Sequence, residues 1–356
     1  MGDLIIYAIP FFFLFMGIEF LALRHAAHEH DHEQEDAVTG RPVAIGYELK
    51  DTGTSLSMGL GHVFIAGAWK LVAIAILAAL YTVSPFQLSP SDWWVWVLLF
   101  FADDLAFYCY HRSHHRIRLF WASHVVHHSS EHYNLSTALR QDWSPFTGSM
   151  FWMPLGLFFE PWMIVLAMSW NLLFQFTLHT EAIDKLPRPI EFIFNTPSHH
   201  RVHHGSQEQY LDRNYAGILI IWDRLFGSFE PEGERVRYGL TRNIETFHPV
   251  KVAYGEFANI WRDVKGAKSW RHRLNYAFRG PGWKPEAEFP EPASGYRLKE
   301  GKRGSTVGGE HVSEEDFGRS VAIRSSGRRH VIHLGPAVGG AGAGPGRGTT
   351  GRRHTE

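Results

Sequence analysis

HRSHH at residues 111–115, HVVHH at 124–128 and HHRVHH at 199–204 repeat one spacing three times. Within them His111 and His115, then His124, His127 and His128, then His200, His203 and His204 stand three or four residues apart, so each set falls on one face of a helix. Neutral imidazole is a nitrogen donor for transition metals at physiological pH, and one such metal takes about four to six ligands. Eight donors exceed a single site and point to a pair of metals. A lone histidine would read as an ordinary polar surface residue; three matching clusters read as a cage. His114 and His199 stand one residue off the shared faces and are expected to point elsewhere.

Outward from the first cluster, the residues before it are largely apolar from about Trp93 to Tyr110, so the histidines follow directly on a hydrophobic helix. Leu4 to Leu23 and Leu56 to Val83, the latter with Lys70 inside it, are further runs near the roughly 20 residues that a membrane span requires. No basic stretch precedes Leu4, which makes the first run a retained anchor rather than a cleaved signal peptide. Phe146–Phe159 and Pro161–Leu178, joined at Glu160-Pro161, predict a helical hairpin or two short spans. The expected fold is therefore an all-α integral membrane protein: a small transmembrane helical bundle with a histidine-rich, two-metal cap. Arg112, Arg116, Arg118 and Arg140 flank the first two clusters, whereas the loop from Ser84 to Ser91 has no basic residue. By the positive-inside rule the cap is cytoplasmic and the amino terminus lies on the far side. An even return through residues 146–178 brings His179 and the third cluster to the same face.

Four regions are expected: an anchor helix with a His/acidic loop (1–45), the membrane and metal domain (46–260), a peripheral segment (261–300) and a tail (301–356). The tail turns to Gly, Arg, Ser and Thr, with GGAGAGPGRG near its end, and is expected to be disordered. The segment His25–Asp36 reads as a solvated loop, and NYAGILIIWDRLFGSF at 214–229 as a short apolar element under the metal site. Cys109, the one cysteine, excludes a disulfide framework, an iron–sulfur cluster and a thiolate zinc site within this chain. The metals must be held by nitrogen and oxygen. A formal net charge of −1 with no basic stripe argues against a nucleic-acid partner. The absence of HExxH removes the zincin mechanism.

The span that ends in HRSHH, then LFWASHVVHHSSEHYNLSTALRQ, His179-Thr180-Glu181, FIFNTPSHHRVHHG and NYAGILIIWDRLFGSFEPE resemble the fatty acid hydroxylase/sterol desaturase superfamily of membrane di-iron enzymes. Within it, phrases such as GYELKDTGTSLSMG at 46–59 resemble the alkylglycerol monooxygenase branch, and the likeness runs from Gly46 to Glu232. The resemblance implies two irons held by His111, His115, His124, His127, His128, His200, His203 and His204, with His179 as a further ligand or near neighbour. It implies O2 activation for insertion into a lipid C–H bond, in that branch at the ether linkage of an alkylglycerol. Neighbouring branches act as sterol desaturases or hydroxylases and fatty acyl hydroxylases. Asp104, seven residues before His111 on the same helical face, and Gln175, one turn before His179, are expected to orient ligand imidazoles. Arg116 stands where the branch commonly has glutamate. The chain has no flavin, nicotinamide or ferredoxin fingerprint, so electrons require a separate donor, tetrahydrobiopterin or an external electron-transfer partner. Two readings from other classes are a metal transporter and a structural zinc-binding membrane protein. A transporter would spread its ligands along a transmembrane path rather than gather them on one face.

Overall fold

The computed structural model describes residues 4–29, 46–285, 324–325 and 328–329. Most of the His/acidic loop and nearly all of the tail lie outside the described residues. Met1–Pro290 form one compact unit and Glu291–Glu356 a second. The described part of the second is a two-residue antiparallel pair, β1 (Arg324–Ser325) and β2 (Arg328–Arg329). Across residues 4–29 and 46–285 the regular structure is entirely helical.

Three helices, α1 (Leu4–Glu29), α2 (Leu49–Val83) and α3 (Trp93–Arg116), are long and apolar enough to cross a membrane. Their outward side chains are bare: Phe64 and Leu71 of α2 are 71% and 72% exposed. Hydrocarbon surface of this kind is unfavourable in water by roughly 25 cal/mol per Å² and is accommodated by lipid. The protein is thus an integral membrane protein. The Glu48 carboxylate caps α2, accepting from the Asp51 amide at 2.7 Å.

Residues 146–178 do return the chain, but not as two regular helices. Only α5 (Phe146–Ser149), a 3-10 turn over Met153–Leu157 and α6 (Pro161–Phe176) form. Thr147 Oγ1 lies 3.3 Å from His114 Nε2, whereas the Phe158 carbonyl accepts from Leu88 N at 2.9 Å in the loop joining α2 to α3. The segment therefore runs from the histidine end to the far end, and α6 brings it back. Gly148, Pro154 and Gly156 explain the broken first half. A Cβ on Gly156 would lie 2.9 Å from Leu77 Cδ2 and 3.2 Å from the Leu77 carbonyl oxygen, so the segment lies close against α2 here and a side chain would need Leu77 to shift. Leu77, Leu99, Phe107, Trp152, Phe159 and Met163 form the core between these segments.

At the histidine end one extended residue, Ile117 (φ −121°, ψ 118°), separates α3 from α4 (Arg118–His128). So short a joint turns α4 back toward the end of α3 and its histidines. Short helices α7 (Arg188–Ile193), α8 (Pro197–His203) and α9 (Ile221–Phe226) follow, then α10 (Pro249–Gly266) and α11 (Trp270–Phe278). Proline occupies an early position of α6, α7, α8 and α10, where its missing N–H costs no helical hydrogen bond. α9 ends at Gly227 in the left-handed conformation (φ 72°). α10 packs on α4 and α2 through Val252 and Ala253 against Val126 and Met58.

Candidate metal centre

Nine imidazoles converge where the ends of α3, α4 and α8 meet the turn after α6. They form two groups, within each of which ligand atoms lie within 4.8 Å of one another. The first contains His111, His115, His124, His128 and His203; the second contains His127, His179, His200 and His204. Helical periodicity explains the division. His111/His115, His124/His128 and His200/His204 are four apart and share a face, whereas His127 and His203 come three residues after His124 and His200 and look to the other group. Helices α4 and α8 therefore each serve both groups. His114 and His199 belong to neither, as their register predicts. His114 Nδ1 lies 2.8 Å from the Tyr110 carbonyl, and His199 Nε2 is 3.3 Å from Glu191.

The fit of these residues to metal follows from their proton positions. His111 Nδ1 donates to the Tyr215 carbonyl at 2.8 Å, His203 Nδ1 to the Arg213 carbonyl at 2.9 Å, and His179 Nδ1 to the Gln175 carbonyl at 2.8 Å. A carbonyl can only accept, so in each neutral ring Nε2 carries a bare lone pair. Those lone pairs face other imidazole nitrogens: His111 to His124 at 2.9 Å, His203 to His128 at 3.1 Å, and His179 to His127 and to His200 at 3.1 Å each. His115 Nε2 and His204 Nε2 are buried without a hydrogen-bond partner. Buried, converging nitrogen lone pairs are unfavourable unless a cation sits among them. Burial, then neighbouring imidazoles, hold His124, His128, His200 and His204 well below the ordinary imidazole range, and burial alone holds His179 down to about 4. These rings are neutral at pH 7 and available as donors. The donor set is nitrogen only, which suits iron and equally zinc.

Asp104 does not touch a histidine. Its carboxylate accepts from the Ile218 and Leu219 amides at 2.7 and 3.0 Å and from the Trp222 indole at 3.0 Å. The segment that bonds Asp104 through Ile218, Leu219 and Trp222 also bears the Tyr215 carbonyl on His111, so Asp104 acts on the loop and not on a ring. Gln175 contributes its backbone carbonyl to His179, while its side chain donates to Asn171 at 2.7 Å. Sequence reasoning missed three supports. Asp223 accepts from the Tyr215 and Ala216 amides at 2.8 Å each, fixing the carbonyl that holds His111. Tyr133, within SSEHYNLSTALRQ, places its ring 5.1 Å from His204 and 5.7 Å from His179. Arg140, 1% exposed, pairs with Asp51 at 3.0 Å and donates to the Val126 carbonyl at 3.2 Å, gripping the end of α4. Arg140 is thus no loop charge, and Arg118 is likewise paired, with Glu256 and Asp263. Arg116 meets Asp212 at 2.8 Å, and the same carboxylate lies 3.7 Å from His115 Nδ1. An open cleft of about 1440 Å³, walled partly by α10 and α11, reaches His115, His128, His203 and His204.

Residues 96–228 match the family model described as fatty acid hydroxylase. The chain is 42% identical over 241 residues to human alkylglycerol monooxygenase, covering 67% of this chain and 54% of the relative. It is 34% identical over 259 residues to the alkylglycerol monooxygenase of Caenorhabditis elegans, covering 67% and 50%. An ornithine lipid hydroxylase of Rhizobium tropici is 28% identical over 145 residues, 40% of this chain and 44% of that one. The chain thus spans about half the length of the curated relatives it matches. No solved structure matches it.

Proposed function

We propose, from the match of residues 96–228 to the fatty acid hydroxylase model, that the chain is a membrane monooxygenase with a two-iron centre that inserts oxygen into a lipid C–H bond. The observation that carries this reading is the convergence of nine imidazoles into two adjoining groups at one end of the membrane helices, with Nε2 of His111, His179 and His203 left unprotonated by their Nδ1–carbonyl bonds. One iron would be held by His111, His115, His124, His128 and His203, the other by His127, His179, His200 and His204. Bound iron would supply dioxygen activation and removal of a hydrogen atom from carbon. The protein's own part is positional: the Tyr215, Arg213 and Gln175 carbonyls set three rings with Nε2 inward, and Asp104 and Asp223 hold the segment that carries Tyr215. Residues 46–260 are the catalytic domain in this reading. In this reading the cap faces the cytoplasm, supported by Arg112 beside the first cluster, which has no carboxylate partner among the described residues.

Similarity to the alkylglycerol monooxygenases makes an ether lipid the substrate we favour. Hydroxylation of the carbon beside the ether oxygen yields a hemiacetal, which breaks down to a fatty aldehyde and a glycerol. One atom of O2 enters the lipid and the other leaves as water, so two electrons and two protons are consumed per turnover. Tetrahydrobiopterin or an external electron-transfer partner supplies the electrons. Iron-loaded membranes given tetrahydrobiopterin should release fatty aldehyde from a 1-O-alkylglycerol and not from the ester-linked monoacylglycerol, whose carbonyl carbon has no hydrogen to lose. Cleavage should stop in His200→Ala. Silence toward ether lipids alongside hydroxylation or desaturation of a sterol or acyl chain would move the substrate to that class, with Arg116 the first residue to exchange.

A further inference from the structure

Helices α10 and α11 present apolar surface that no described residue covers. On α10, Val250, Tyr254, Ala258 and Trp261 recur at helical spacing, away from the buried Val252, Ala253 and Ile260. Trp261 is 69% exposed. On α11, Trp270, Leu274 and Phe278 recur every fourth residue at 70%, 45% and 56% exposure. Lys251, Arg262, Lys265, Lys268, Arg271 and Arg273 border these stripes and are all exposed. The acidic residues of the two helices, Glu256 and Asp263, are both turned onto Arg118, at 2.7 and 2.6 Å. What remains facing outward is aromatic, aliphatic and cationic.

That composition fits one occupant. Tryptophan and phenylalanine settle at the boundary between headgroups and acyl chains, and lysine and arginine beside them meet lipid phosphates. Neither helix can span: α10 carries charge along its length and α11 has nine residues. The position is right as well. The Tyr254 ring packs 6.3 Å from that of Trp143, whose indole donates to the Met58 carbonyl of α2 at 2.9 Å. Two and six residues further along α2, Leu60 and Phe64 belong to its exposed apolar face, at 62% and 71%. The stripe on α10 thus starts where the lipid-facing surface of α2 ends.

We propose that α10 and α11 lie in the plane of an anionic bilayer surface, with Trp261, Trp270, Leu274 and Phe278 sunk to the acyl boundary and the basic side chains on lipid phosphates. Because Val250, Tyr254 and Ala258 also line the cleft that reaches His115, His128 and His203, the cleft mouth then opens at the lipid–water boundary. A lipid enters it without crossing bulk water. The inference concerns placement and holds whichever reaction the histidines support.

The test uses the full chain in a Cys109→Ala background, with Trp261→Cys or Trp270→Cys carrying an environment-sensitive fluorophore. Glu208→Cys, an exposed position after α8, serves as the aqueous control. In phosphatidylcholine vesicles with phosphatidylserine, labels at 261 and 270 should be quenched several-fold more by lipid spin-labelled near the headgroup than by iodide, with the reverse at 208. Omitting phosphatidylserine should reduce that lipid quenching. Iodide quenching at 261 and 270 equal to that at 208 would overturn the proposal, because the helices would stand in water. Protection from both quenchers would overturn it too, since protein would then cover the stripes. Lipid quenching indifferent to phosphatidylserine would overturn the anionic assignment.

Discussion

His203 and His127 each stand three residues after a histidine of the opposite group, and that offset gives them different consequences. Removing His203 opens the five-membered group, whereas removing His127 opens the four-membered one. With fewer donors to spare, the second group should lose its metal more readily. Elemental analysis of purified protein should find two metals per chain. His127→Ala should fall toward one, and His203→Ala should weaken retention at the other position, with activity lost in both. Full metal content after both substitutions would refute the cage. In sequence, eight of these residues were legible from spacing alone. Their partition was not, because the spacing gives a direction around each helix axis but not which neighbour stands in that direction.

At the scale of elements, the segment from Asn214 to Phe229 decides how the cage is held. It carries an apolar sequence, yet two buried carboxylates clamp it, Asp104 from α3 and Asp223 from α9. Asp223→Asn leaves one oxygen for two backbone amides and turns an amide donor toward one of them. An unsatisfied buried N–H costs about 1–3 kcal/mol, so the thermal midpoint should drop. The Tyr215 carbonyl should also loosen from His111, and metal should be lost from the five-histidine group before the other. An unchanged midpoint with both metals retained would show that the clamp is dispensable. Asp104 stood out in the sequence, whereas Asp223 did not. The role of neither was legible, since a carboxylate on a helical face can serve a ring or a backbone, and only the packing of a distant loop chooses.

For the whole molecule, acid should act through the cage. The buried histidines outside the membrane spans have folded-state values below the roughly 6.5 of a free imidazole. The unfolded chain therefore takes up protons first as pH falls. Stability from these rings is complete above about 6.5 and declines below it, for His179 over the interval down to about 4. Lowering pH from about 7.5 to about 5 should reduce the thermal midpoint of metal-free protein and release metal from loaded protein. A midpoint flat across that range would contradict the buried, neutral state of the rings. The tail gives a second prediction. Met1–Pro290 form a compact unit by themselves, and the Gly-rich sequence beyond residue 300 offers little apolar surface to offset its ordering entropy. Deleting residues 301–356 should leave membrane insertion and metal content nearly unchanged, as read by carbonate extraction and elemental analysis.

The amino-acid sequence by itself determined the solvent of this protein's long helices and the imidazole donors available to its candidate site. Long, predominantly apolar runs belong in lipid wherever their neighbours lie, and imidazoles at three- and four-residue spacing share a helical face. These are local consequences of composition and period. Tertiary structure alone decided the pairing of nine rings into two groups, the clamp on residues 214–222, the burial of Arg140 against Asp51 and the broken path of residues 146–159. Each depends on contacts between residues far apart in the chain, where hydrogen-bond satisfaction and close packing, rather than any local preference, select among arrangements the sequence leaves open.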